Sequence, residues 1–153
     1  MSARRIRIAL IALGVLVFLA ISALLARVLS IGGAERAAIT ALVQAEARGD
    51  GVGMQARIQG CRASASCRQR VAADAVALRR PGDVAILELN PSAGFSLSST
   101  LGTARVAWRA GGSLPVVQCV GVRRAGNAIS GLHVELLEIS LRIKSDADCP
   151  ARF

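Results

Sequence analysis

Nineteen consecutive residues near the start of the chain, 8–26, carry no charge, and Ser22 is their only polar side chain. An apolar run without a polar stripe is uniformly greasy around a helix, which suits lipid on all sides better than a protein core on one. At 1.5 Å per residue it covers about 28 Å, close to the thickness of a bilayer's hydrocarbon core. Arg4, Arg5 and Arg7 precede it and Arg27 follows. That imbalance places residues 1–7 in the cytoplasm, 8–28 across the membrane and the remainder outside. A cleaved signal peptide has a shorter apolar core with a small-x-small site behind it; here Ala20 and Ser22 lie inside the run, so a retained anchor is the better reading. No cysteine lies near this segment, which excludes a lipoprotein signal.

Beyond the anchor the pattern becomes amphipathic. Residues 29–33 read as a linker, and 34–153 as one extracytoplasmic domain. Over 35–48, Ile39, Leu42 and Val43 recur at helical spacing among alanines, which predicts a first helix stopped by Gly49. Asp50 is placed to cap a short second helix with Val52, Met54 and Ile58 on its apolar side. After a loop at 60–67, Val71, Ala72, Ala75, Val76 and Leu78 predict a third helix over 68–79, ended by Pro81 and Gly82.

Downstream the period shortens to two. Strands are expected at 84–89, 103–109, 116–123 and 132–143, separated by turn-forming stretches at 90–94, 111–113 and 125–127. Over 103–109, Ala104, Val106 and Trp108 alternate with Thr103, Arg105 and Arg109, giving one packed and one wet face. Helices followed by strands indicate an α+β domain with an antiparallel sheet.

The order helix 35–48 ending in Arg48-Gly49-Asp50, short second helix, then a hairpin-rich half with Gly102-Thr103-Ala104-Arg105-Val106-Ala107-Trp108 resembles the NTF2-like (cystatin-like) superfamily, over roughly residues 34–143. The resemblance implies a curved sheet wrapped as a cone around three helices, with a pocket at the wide end. It carries no single activity, because that superfamily includes enzymes and plain association domains alike.

Composition narrows the function classes. Aromatic residues make up 3% of the chain, with no tyrosine, so the core is built from small aliphatic side chains. Formal charge is +9, but setting the four arginines beside the anchor apart from the 19 basic residues leaves 15 against 10 acidic ones. Without a dense basic stripe or stacking aromatics, nucleic acid is not an expected partner. The expected partners are the lipid bilayer, an envelope protein or a second copy of the chain.

All four cysteines, Cys61, Cys67, Cys119 and Cys149, lie beyond the anchor. An even count in an oxidising compartment predicts two disulfides. Of three possible pairings, Cys61 with Cys67 and Cys119 with Cys149 is favoured. Their spacing fits neither a zinc site nor a Cys-x-x-Cys redox pair, and no cofactor is expected.

Candidate chemistry is sparse. His133, the only histidine, shares a strand face with Glu135 and forms a possible base and orienter. Trp108 and Arg105 complete the ligand-binding candidates, and Arg105, Arg109, Arg123 and Arg124 form a cationic patch if they converge. Superfamily isomerases pair a pocket carboxylate with a tyrosine, which this chain lacks, and no nucleophile elbow or nucleotide-binding glycine motif is present. The expected function is therefore a membrane-anchored, non-enzymatic binding or association module. The alternative is a small-molecule or isomerase-like pocket, which requires His133, Glu135 or Glu88 to face an enclosed cavity.

Overall fold

The computed structural model describes residues 3–93, 98–127, 131–144 and 149. Three helices, α1 (Ala3–Arg48), α2 (Gly51–Arg57) and α3 (Ala65–Ala77), precede four strands, β1 (Val84–Asn90), β2 (Ser98–Ala110), β3 (Val116–Asn127) and β4 (Gly131–Ile139). The strands form an antiparallel meander in the order β1-β2-β3-β4. The α+β class and the antiparallel sheet agree with expectation, and the sheet is open.

One expectation is corrected. The anchor and the first domain helix are a single element, because 29–33 is helical and not an irregular linker. Gly32 and Gly33 each cost about 1 kcal/mol against alanine, too little to break a helix flanked by good helix formers and held at its far end by tertiary packing. α1 stops at Arg48 in a Schellman motif. Gly49 takes φ +75, its N–H donates to the Glu46 carbonyl at 2.8 Å, and the Asp50 N–H donates to the Ala45 carbonyl at 2.8 Å, satisfying two end carbonyls.

Asp50 caps α2 by accepting from the Gly53 N–H at 2.8 Å. α3 begins earlier than its apolar stripe suggests, because the Ser64 hydroxyl caps it from outside, accepting from the Cys67 N–H at 3.3 Å. Cys67 therefore sits in the first turn of α3 and not in a loop. β4 is shorter than expected. Beyond Ile139 the chain still runs beside β3, with the Ser140 N–H donating to the Cys119 carbonyl and the Ile143 N–H to the Val117 carbonyl, both at 2.8 Å, but without a regular ladder.

The core lies between the helices and one face of the sheet. Ala104, Val106 and Trp108 from β2, Val116, Val120 and Val122 from β3, and Leu136 and Ile139 from β4 meet Ile39, Leu42 and Val43 of α1 with Met54, Ile58 and Val71. The alternation expected in β2 is observed, with Trp108 wholly buried. At the sheet's far edge, the Gln59 N–H donates to the Leu136 carbonyl at 2.7 Å and Ile58 bridges Leu136 in parallel, so the exit of α2 covers β4.

Candidate functional site

Of the four candidate ligand-binding residues, His133 and Glu135 lie side by side, and Trp108 and Arg105 do not join them. Trp108 is interior, and its indole N–H donates to the Gln118 Oε1 at 2.8 Å. Arg105 lies on the opposite face of β2, where its guanidinium is 3.7 Å from Glu88 of β1; Glu88 also accepts from the Asn90 side chain at 3.0 Å. His133 is on β4 with its side chain 63% exposed, 3.4 Å from Glu135. Glu135 is already committed to Arg123, whose Nε donates to it at 2.5 Å. That hydrogen bond comes first among the causes holding the Glu135 carboxyl below the usual range. Such an acid is a poor proton acceptor. Glu135, but not His133, borders an open hollow of about 180 Å³ at the seam of α1 and β4, lined also by Ala38, Ala41 and Arg57.

The four strand arginines, a cationic patch only if they converge, do not converge. Arg105 and Arg123 are paired with acids on the outer face, Arg109 is exposed, and Arg124 points the other way into the interior. Arg124 donates to Glu35 of α1 at 2.8 Å through Nε and to the Ala93 carbonyl at 3.0 Å. The second Glu35 oxygen accepts from the Ser92 N–H at 2.7 Å. Three helical turns further on, Glu46 accepts from the Gln118 amide at 2.8 Å, and Gln118 also donates to the Ser140 carbonyl at 3.1 Å.

Glu35 and Glu46 are eleven positions apart on one helix face, and Arg124 and Gln118 are six apart on one strand face, so two polar clamps hold α1 antiparallel to β3. Burial pushes the Glu46 carboxyl up to about 8, with neighbouring Asp74 contributing in the same direction. Burial likewise raises Asp74 to about 6, against the pull of Arg70. Among the described residues, Glu46 Oε2 and both Asp74 oxygens have no hydrogen-bond partner, which suits a protonated carboxyl better than two anions.

Neither clamp was read from the sequence, although a signal was present. Ile31, Glu35, Ile39, Leu42 and Glu46 follow the spacing of a buried stripe, and acids on such a stripe mark interior polar partners rather than a solvated face.

Cys61 is bonded to Cys67 and Cys119 to Cys149, with Cα separations of 5.2 and 5.6 Å. These are the favoured pairings. Among the described residues there is no group of three or more potential ligands able to hold a metal ion. Compared with known proteins, the chain matches no family model, no curated protein and no solved structure.

Proposed function

We propose that this protein is a membrane-tethered extracytoplasmic module that acts by binding at its surface rather than by catalysis. The observation that carries the reading is the double character of α1. Its apolar N-terminal window is wholly unburied and long enough to cross a membrane, whereas the same helix from Ile31 onward is the central core element of the domain. An unburied apolar helix of this length is stable in lipid and a liability in water. Two disulfides favour the oxidising side, and the arginines before the anchor favour a cytoplasmic N-terminus. The NTF2-like likeness belongs to this reading as a helix-backed sheet. A pocket enzyme is disfavoured because Trp108 and aliphatic side chains fill the interior where a cone pocket would open, while His133, Glu135 and Glu88 lie outside it.

Non-reducing peptide mapping of protein purified from carbonate-washed membranes tests the reading. The expected result is an intact N-terminal segment with Cys61–Cys67 and Cys119–Cys149 peptides linked. Release by carbonate, or four free thiols in the native protein, would overturn it.

A further inference from the structure

The arginines of the sheet do not converge, but another set does. At the end of the domain remote from the anchor, α1 and α3 finish side by side. The Arg80 N–H donates to the Ala47 carbonyl at 2.9 Å and ties the two ends together. Between them opens a hollow of about 560 Å³ lined by Ala47, Arg48, Arg79, Arg80, Pro81 and Gly82. Gly49 lets Arg79 approach the end of α1 closely, since a Cβ there would come within 3.1 Å of the Arg79 side chain.

Cations at helix C-termini commonly serve only to satisfy carbonyls and the helix dipole. That explains Arg80, whose guanidinium donates to the Ala77 and Arg79 carbonyls at 3.1 and 2.9 Å. It does not explain Arg48 and Arg79. Both are exposed, and neither side chain has a hydrogen bond or ion pair among the described residues.

Among the described residues, most acids elsewhere in the domain are engaged, and Asp74 is buried on α3 and does not line the hollow. Glu35, Glu88, Glu135 and Glu138 pair with arginines, and Asp50 caps α2. Asp83 follows Gly82 in the chain but does not line the hollow. Glu46, beside Ala47, is held largely protonated by burial and contributes little opposing charge. The residues lining the hollow thus include three arginines and no acid.

We infer that this hollow is a binding site for a phosphate group, with Arg48 and Arg79 as its principal ligands and Arg80 as the fixed third wall. Phosphate is favoured over carboxylate because one arginine fork satisfies a carboxylate's two oxygens, whereas a tetrahedral phosphate offers acceptors to several forks at once and carries more charge. The inference deepens the proposed surface-binding role and rests on the tethered reading for its geometry. Twenty residues of helix, about 30 Å, separate Val28 from Arg48. The headgroups of the protein's own bilayer lie well below the site. The phosphate then comes either from a soluble or polymeric ester or from lipid in a facing membrane.

The test is calorimetric titration of sodium tripolyphosphate into the full chain in phosphatidylcholine nanodiscs at low ionic strength. Saturable one-site binding is expected, weakened at least tenfold in R48Q/R79Q and unchanged in R109Q, an exposed arginine on the outer face of β2. Absence of saturable binding, or equal affinity in wild type and R48Q/R79Q, overturns the inference. Unchanged melting temperatures verify that the variants are folded.

Phosphatidylglycerol vesicles supply the second arm. Co-sedimentation with wild type that is lost in R48Q/R79Q assigns the phosphate to a facing membrane, whereas tripolyphosphate binding without co-sedimentation assigns it to a free or polymeric ester. A chain that does not enter nanodiscs removes the tethered reading alone. The tripolyphosphate comparison in detergent-free buffer then still decides the site.

Discussion

Glu46 is a carboxyl group with one oxygen on Gln118 and the other unpartnered, and its pH behaviour follows from burial. Its folded value of about 8 lies above its ordinary 4.5, so the folded state binds the proton more tightly than the unfolded chain. Stability is therefore highest at low pH for this group and declines as pH rises from about 4.5 through 8, by at most about 1.4 kcal/mol per pH unit. Asp74, raised to about 6 from 3.8, acts in the same direction in a lower window. Urea melts at pH 5 and pH 8.5 are expected to show the wild type less stable at the higher pH, with E46Q removing most of that difference above pH 6. The Glu35–Arg124 pair behaves differently because both partners are satisfied. R124A leaves the Glu35 carboxylate buried and is expected to destabilise by about 3 to 5 kcal/mol, measured by the same melts, whereas a paired replacement by apolar residues of similar volume costs far less. Trp108→Ala is expected to cost about 3 to 5 kcal/mol through the cavity it leaves and the Gln118 oxygen it strands.

Among the elements, those whose signals are local were legible in the sequence. The stop at Gly49, the Asp50 cap and the alternation in β2 each depend on a few neighbouring residues and agree with the structure, whereas α3 ends at Ala77, short of the expected 79. The merger of the anchor with the first helix was not, because Gly32 and Gly33 are weak breakers when both flanks are helical. The start of α3 was misplaced because the apolar stripe begins after the helix does, and only the Ser64 hydroxyl marks the true first turn. The candidate site was least legible of all. Whether Arg105, Arg123 or Arg124 is free depends on which acid lies opposite, and strand register settles that through Glu88, Glu135 and Glu35. The convergence of Arg48 with Arg79 depends on two helices ending together, which no local pattern encodes. Gly49 is the residue on which that junction turns. Gly49→Ala forces a Cβ into a left-handed conformation and against Arg79, and is expected to lower stability by about 1 to 2 kcal/mol in thermal melts.

For the molecule as a whole, the two disulfides constrain different scales and their removal separates them. Cys61–Cys67 closes a loop of sequence separation 6 at the entry of α3, and Cys119–Cys149 spans a separation of 30, holding the end of the chain against β3. If a disulfide acts mainly by restricting the unfolded chain, the short loop contributes about 2 kcal/mol and the long one about 3.5 kcal/mol. The native packing points the same way. Ser140 and Ile143 run along β3 through backbone hydrogen bonds, and the Cys119–Cys149 bond fixes a further point of the same stretch to that strand. C119S/C149S is therefore expected to lose more stability in urea melts than C61S/C67S. The Glu35–Arg124 clamp and the Schellman end of α1 use none of the four cysteines, so both variants should still fold. Equal losses in the two variants would mean that the tail is held by its noncovalent contacts and that chain restriction is not the source of the stabilisation. Because α1 runs unbroken from the anchor into the core, a loss of stability in the domain also releases the end of α1 that carries Arg48. Phosphate affinity at the remote hollow should then fall in C119S/C149S only at temperatures where the domain itself begins to melt.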